Sequence, residues 1–286
     1  MLYEPAQFEP LIEEPWDPAR IEDGVAAIVA DADAAFDPEE LWPAHEWDGW
    51  EEPLPMKNLY VGAAGVIWAL DEFRLRGNAA TSLDLAAAAL RTLELKRAAP
   101  DFTADEHYHP ASLLAGETGP LLVAFRLASN PSLADDLHAL VRANVDNPTD
   151  DVMWGAPGTL LAALAMGEWT GEPHWEEAAR ETAAALQARR GDDGLWRQDD
   201  DYRGLGTLHG AAGNGFALLK AFERTGDERW LERARRFGVH ALAQAERIAE
   251  ANGRRRYSLF TGDVGTALFA AACLDQDARY PIFDTL

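Results

Sequence analysis

The sequence predicts an all-α protein, an α/α toroid in which a ring of outer helices surrounds a ring of inner helices. Three observations lead to this prediction. A motif with two glycines recurs five times, an amphipathic stretch precedes each copy, and a segment that is apolar almost all round follows it. Patterns typical of β-strands are scarce. An open solenoid of the same hairpins is the alternative architecture.

The Gly-x-x-Gly motif marks each hairpin. Its first glycines are spaced 54, 39, 55 and 52 residues apart, a distance that accommodates two helices and two connections. Paired glycines suit a sharp turn where backbones approach closely or adopt positive φ. The pattern therefore predicts five repeats, whose first glycines are Gly62, Gly116, Gly155, Gly210 and Gly262.

The stretches between motifs read as outer helices. Residues 82–98, 176–189 and 227–248 place apolar residues at three- and four-residue steps, which predicts helices with one buried face. Residues 159–166 have no polar face and are predicted to be an inner helix buried on every side. Residues 1–55 contain eight prolines and one helical stretch, at 21–36. We predict that they form an outer helix with wrapping loops inside a single domain, 1–286.

Composition excludes several classes of function. Forty-nine acidic and 25 basic residues give a net charge of −24, which disfavours nucleic acid and anionic membranes as partners. No apolar run is long enough to span a membrane, and residues 1–5 lack a signal-peptide pattern. The single cysteine, Cys273, rules out an internal disulfide, and its apolar surroundings predict a buried, inert thiol. A cytoplasmic protein is expected.

The five motif segments resemble the lanthionine synthetase C-like family. They read LYVGAAGV, SLLAGETGPLLVA, DDVMWGAPGTLLAAL, LHGAAGNGFALLKAFERTGDERWLERARRF and RYSLFTGDVGTALFAA, with ARYPIFDTL at the end, and they extend from residue 58 to 286. The resemblance implies an α/α toroid. In the cyclases of this family, zinc activates a cysteine thiol that adds to a dehydrated serine or threonine and forms a thioether ring.

The sequence departs from the family pattern in two ways. The family usually has seven repeats, so about two units are absent between Gly158 and Gly210. Its Cys-His zinc pair is matched by Leu208-His209, and its other cysteine is either deleted or matched by Met153. Because a structural or catalytic zinc needs about three nitrogen or thiolate ligands, we expect no zinc and no other cofactor.

Two residues are predicted catalytic candidates. Asp151 stands where the resemblance places a catalytic acid, although a carboxylate at a helix start is also a common cap. His209 precedes the fourth motif and has a side chain suited to proton transfer near neutral pH. A metal held by His209 together with His107 and His109 is a weaker alternative.

Further residues in or beside the motifs are candidates for substrate binding, each with a structural alternative. The structural alternative for the carboxylates is helix capping, and for the aromatic residues it is packing in the core. The arginine can instead form a salt bridge, and the asparagine can form a hydrogen bond within its turn. The candidates are Tyr60, Glu117, Trp154, Arg203, Asn214 and Asp263, with Trp68 and Trp196 as further aromatics.

These observations favour a zinc-free member of the family that binds a peptide or small-molecule ligand in the toroid cavity or modifies it by acid–base chemistry. A carbohydrate-active hydrolase that uses cavity carboxylates is the second hypothesis. A non-catalytic repeat scaffold is the third. The sequence does not indicate the substrate or the oligomeric state.

Overall fold

A computed structural model describes residues 10–49, 55–106, 108–192 and 211–286. Within them the regular structure is helical, which confirms the all-α prediction. The helices are α1 (Pro18–Ala35), α2 (Glu46–Gly49), α3 (Ala63–Arg76), α4 (Leu85–Ala98), α5 (Thr118–Ala128), α6 (Pro131–Ala143), α7 (Ala156–Thr170), α8 (Pro173–Arg189), α9 (Ala211–Thr225), α10 (Glu228–Asn252) and α11 (Asp263–Asp275).

The helices after the glycine motifs form an inner series. In this series α9 packs on α11, α11 on α3, α3 on α5 and α5 on α7. The last inner helix therefore contacts the first, and α1 covers α11 from outside. Between the third repeat (α7 and α8) and the fourth (α9 and α10) the described residues show no extensive packing. The described inner helices therefore form a continuous series from α9 through α11, α3 and α5 to α7, and closure into a ring stays a prediction.

The predicted bounds of several helices shift because of capping residues. The helix expected over 82–98 starts at Leu85, since the Asp84 carboxylate accepts the Ala87 N–H at 3.0 Å and caps it. The inner helix expected over 159–166 extends from Ala156 to Thr170, where Gly171 (φ 68°) ends it in the left-handed conformation. The outer helix expected over 21–36 begins earlier, at Pro18, after a side-chain cap by Asp17.

The motif glycines begin the inner helices instead of forming separate turns. Gly62, Gly155 and Gly262 are N-cap residues in an extended conformation, with φ of −109°, −103° and −131°. None of the motif glycines in the described residues has positive φ, so close approach explains them. At Gly65, Gly119 and Gly158 an added Cβ would lie 3.0, 2.6 and 2.8 Å from a leucine Cβ of the neighbouring repeat, in Leu259, Leu59 and Leu113 respectively.

The end of the inner helices opposite the motifs is held by charge pairs. Arg126 of α5 contacts Asp71 (3.0 Å) and Glu72 (2.5 Å) of α3. Arg76 joins Glu72 to Asp277, which follows α11, at 2.9 Å each. These residues are mostly buried, so the pairs tie three inner helices together where solvent screening is weak.

Candidate functional site

The segments just before the motifs share one local structure. Val61 N–H donates to Asn58 Oδ1 at 2.8 Å, and Trp154 N–H donates to Asp151 Oδ1 at 2.8 Å. Both acceptors stand four residues before the first glycine of their motif. In the fifth repeat, Ser258 has this position, and its Oγ lies 2.8 Å from the Thr261 hydroxyl. Asp151 therefore has the place and the bond of a turn-forming residue.

Neighbouring motif segments are bonded to one another. Tyr60 N–H donates to the Leu114 carbonyl at 3.1 Å, and Phe260 N–H donates to the Tyr60 carbonyl at 3.3 Å. The Ser112 hydroxyl donates to the Trp154 carbonyl at 2.9 Å. These bonds and the glycine contacts place the fifth, first, second and third repeats side by side at one end of the inner helices.

A buried charge cluster supports the first two motifs. Lys57 Nζ lies 2.7 Å from Asp101 Oδ1, and Lys96 Nζ lies 3.5 Å from Asp101 Oδ2. Asp101 Oδ2 also accepts the backbone N–H groups of Lys57 (2.8 Å) and Asn58 (2.9 Å). Lys96 Nζ donates to the Ala115 carbonyl at 2.8 Å. All three charged side chains are almost fully buried. The cluster therefore fixes the first motif segment against the second.

Burial dominates the electrostatics of Lys96. Loss of hydration lowers the pKa of its ammonium group, and the nearby Lys57 charge lowers it further, while Asp101 opposes both effects. A sequence signal for this cluster existed and was missed. Lys57, Lys96 and Lys220 are the only three lysines in the chain; Lys57 directly precedes the first motif segment, and Lys96 lies in the outer helix predicted before the second motif.

The fifth motif has its own charge cluster. Arg256 Nε donates to Asp48 Oδ2 at 2.7 Å, and the Thr261 hydroxyl donates to Asp48 Oδ1 at 2.8 Å. The carboxylate of Asp263 lies 3.3 Å from Arg255 Nη1. Burial raises the pKa of Asp263, and the arginines counteract that rise. His45 is buried nearby, and its burial and the Arg256 charge lower its pKa. Asp48 and His45 were not singled out in the sequence.

The predicted carboxylates each have a local partner. Glu117 Oε1 accepts from Arg97 Nε at 2.5 Å, and Arg97 also bonds Asp136 at 2.7 Å. Asp151 holds its own turn, and Asp263 faces Arg255. In a hydrolytic pair one carboxyl group acts on the substrate oxygen and the other on water or carbon. The partners described above are those of structural carboxylates, so the hydrolase hypothesis gains no support.

The predicted aromatic candidates are buried. Tyr60 packs on Phe260 with ring centroids 5.4 Å apart, and Trp154 meets Phe102 edge-on at 6.2 Å. Both rings belong to the main hydrophobic core and do not line an open ligand site. Asn214 is exposed on α9. His209, Arg203, His107 and Trp196 lie outside the described residues, so their predicted roles stay predictions.

An apolar cavity lies between α7 and α8, beside the third motif. Its volume is about 340 Å³. Apolar side chains form most of its wall, and two polar side chains complete it. Asp150 is held there by Arg189, whose Nε lies 2.8 Å from Asp150 Oδ1. The lining residues are Asp150, Pro157, Leu160, Ala183, Leu186 and Gln187. No periodicity in the sequence indicates this cavity, because its shape depends on how α7 and α8 pack together.

The described part of the chain contains few of the donors that the zinc site implied by the family resemblance would need. Cys273 is fully buried within α11, and burial strongly raises the pKa of its thiol, which disfavours the thiolate that zinc requires. His109 is half-buried, and burial lowers its pKa. Among the described residues no three His, Cys, Asp or Glu side chains come together as a metal site. The described donors therefore do not reproduce the ligand set of the family's cyclases.

The sequence model of the family described as lanthionine synthetase C-like protein matches residues 154–285. Over this C-terminal part the chain is similar to the lanthionine synthetase C-like family. The match begins in the third motif and includes the cavity residues of α7 and α8. Among the described residues, no helix has the length and apolar character needed to cross a bilayer.

Proposed function

We propose that this protein binds a peptide in the cavity between α7 and α8, without zinc–thiolate chemistry. The observation that carries the proposal is the cavity itself. It has room for one or two side chains, and its wall is apolar apart from Asp150 and Gln187. Ligand sites in proteins commonly combine an apolar lining with a few fixed polar groups that orient the ligand.

The lining favours a peptide that inserts a large apolar side chain. Leu160 and Ala183 offer apolar surface, and burying such a side chain contributes about 1.5–3 kcal/mol. Gln187 is exposed at the rim and can bond a peptide N–H or carbonyl. The bond from Arg189 fixes Asp150 before the ligand arrives, which reduces the entropy lost on binding.

Binding is better supported than acid–base catalysis by Asp151. The Asp151 carboxylate already accepts the Trp154 N–H, and Asn58 makes the equivalent bond in the first repeat. The asparagine side chain has no acidic group, so turn formation alone explains the hydrogen bond that the two repeats share. The catalytic pairing of Asp151 with His209 remains a separate hypothesis.

Peptide binding can be tested by filling the cavity. A panel of fluorescent peptides with one Phe, Leu or Trp between polar residues is titrated against the protein by fluorescence anisotropy. We expect Ala183→Trp to weaken binding by about tenfold or more, because the indole occupies the space for the ligand side chain. Ala184→Trp, on the exposed side of the same helix, is the matched control.

Equal affinities of the two tryptophan variants, or no binding of any peptide in the panel, would contradict the proposal. Asp151→Asn adds a second comparison, because the amide oxygen still accepts the Trp154 N–H and the carboxylic acid is lost. Unchanged binding is expected. If family-type turnover is detected and this variant abolishes it, Asp151 is an acid–base residue and not only part of a turn.

A further inference from the structure

In the described parts of the chain, the third repeat differs from the first and second because its inner helix has no inner-helix neighbour on one side. α3 lies between α11 and α5, and α5 lies between α3 and α7. Among the described inner helices, α7 packs extensively on α5 alone. The side of α7 turned away from α5 therefore continues the surface that inner helices elsewhere use to meet each other.

An apolar stripe follows that side of α7. Pro157, Leu160, Leu161 and Leu164 are spaced at i, i+3, i+4 and i+7, so they share one helix face. The first three are partly exposed, and Leu164 is 50% exposed. Pro157 and Leu160 also line the α7–α8 cavity, which makes the cavity the N-terminal end of this stripe.

The contacts between the other repeats indicate which kind of helix would fit against this face of α7. In three places the second glycine of one motif lies against the leucine three residues before the first glycine of its neighbour, as Gly158 lies against Leu113. In the third repeat the corresponding residue is Val152, and it is partly buried. The fitting partner is a helix that runs parallel to α7 and places a glycine over Val152.

Charge distinguishes between a second copy of the chain and a cationic helix as the partner of this face. Glu168 is exposed one turn beyond Leu164 on the same face, and the chain carries a net charge of −24. A second copy of the chain would bring the same negative charge and be repelled. A cationic helix gains attraction, with its basic residues placed near its C-terminal end, opposite Glu168.

We propose that the ligand is a basic, amphipathic peptide that binds as a helix along this α7 face, with a small residue over Val152 and an apolar side chain in the cavity. This inference rests on the proposed function, because it names the ligand class and binding mode of the same site. The inter-repeat interface thus serves as the template for recognition of the ligand.

The probe is a fluorescent peptide with the sequence of residues 112–128, which contains the second motif and α5, followed by two lysines. The full-length protein is titrated with it, and anisotropy is measured. We expect binding that Leu164→Glu in the protein weakens by about tenfold or more, because a carboxylate replaces the central apolar contact. Leu75→Glu, at a leucine of α3 that is 58% exposed, is the matched control and should bind normally.

Two peptide variants test the binding mode. Gly119→Leu in the peptide should weaken binding by about tenfold, because a side chain there prevents the close approach to Val152. Replacement of the two lysines by glutamates should also weaken binding, and added salt should reduce the difference between the two peptides. If neither change affects the affinity, the helical mode is wrong.

Other outcomes separate this inference from the proposed function. Binding that is lost in Ala183→Trp but unchanged in Leu164→Glu overturns the helical mode and leaves cavity binding in place. Absence of probe binding, together with sedimentation velocity that shows self-association lost in Leu164→Glu, assigns the face to a second copy and overturns the inference. Absence of binding in a protein that stays monomeric also overturns it.

Discussion

The inner helices α3 and α7 have similar apolar sequences but different surroundings. Every residue of α3 from Ala63 to Phe73 is buried, including Asp71 and Glu72. In α7, Leu164 is half exposed and Glu168 is exposed. A helix that is apolar all round requires neighbours on all sides, and of these two helices α3 has an inner-helix neighbour on each side within the described residues, whereas α7 has one. The comparison shows that this apolar pattern indicates a need for burial and does not guarantee that the need is met within the chain.

The largest expected difference concerns the carboxylates beside these helices. Asp101→Asn should lower the free energy of unfolding by about 3–5 kcal/mol, because it leaves two buried lysines without their counter-charge. Asp151→Asn should change it by no more than about 0.5 kcal/mol, since the amide oxygen still accepts the Trp154 N–H. Urea unfolding followed by circular dichroism measures both. Equal losses would mean that the buried cluster is not a stabilising feature of the first repeats.

Leucine truncation gives the next largest difference. Leu70 in α3 is 1% exposed, so Leu70→Ala should lower the free energy of unfolding by about 2–5 kcal/mol through lost burial and a new cavity. Leu164→Ala should cost less than about 1 kcal/mol, because that side chain is half exposed. The same urea titration applies. A large loss at Leu164 would show that its face is covered in solution by another part of the molecule.

Glycine substitutions compare how closely the two parts of the inner series approach their neighbours. Gly119→Ala should destabilise by about 1–3 kcal/mol, because its Cβ would lie 2.6 Å from Leu59 Cβ. Gly167→Ala in α7 meets only Trp175 Cβ, at an ordinary 3.7 Å, and should stabilise by up to about 1 kcal/mol through helix propensity. Thermal unfolding reports both variants. A stabilising Gly119→Ala would refute close approach as the reason for the motif.

The smallest expected effect is a pH dependence from Lys96. Burial lowers its pKa in the folded protein, so between that pKa and about 10.4 the unfolded chain holds the proton more tightly. The unfolded state then binds more protons, and stability rises with pH across this window. We expect any stability advantage of Lys96→Met over the wild type to diminish as the pH increases from neutral to about 10. A constant difference would indicate that the folded pKa is ordinary.

Much of the fold could be predicted because it depends on local patterns. The outer helix expected over 176–189 is found as Pro173–Arg189, and that expected over 227–248 as Glu228–Asn252. The periodicity of buried positions sets such helices, while caps such as Asp84 and Asp227 shift their ends by a few residues. The positive φ considered for the motif glycines was wrong where they are described, because contact with the neighbouring repeat is the actual constraint.

The candidate site was less predictable because it depends on contacts between repeats. Asp151, Glu117 and Asp263 were selected by their place beside a glycine motif. Asp151 bonds within its own turn, whereas Glu117 and Asp263 face arginines 20 and 8 residues away. In the buried charge cluster, Lys57 is 44 residues from Asp101. Sequence position alone cannot tell a carboxylate that faces a ligand from one that faces an arginine.

By itself the sequence determined the all-helical class, the repeats marked by glycine motifs and the lack of a cysteine pair for the family's zinc site. These properties follow from residue type and spacing, which act through local backbone preference and donor chemistry. Only the tertiary structure decided which inner helices are enclosed, which charges are paired and where the cavity lies. Burial and pairing depend on neighbours distant in sequence, and the open face of α7 exists because, among the described residues, no further repeat is packed against it.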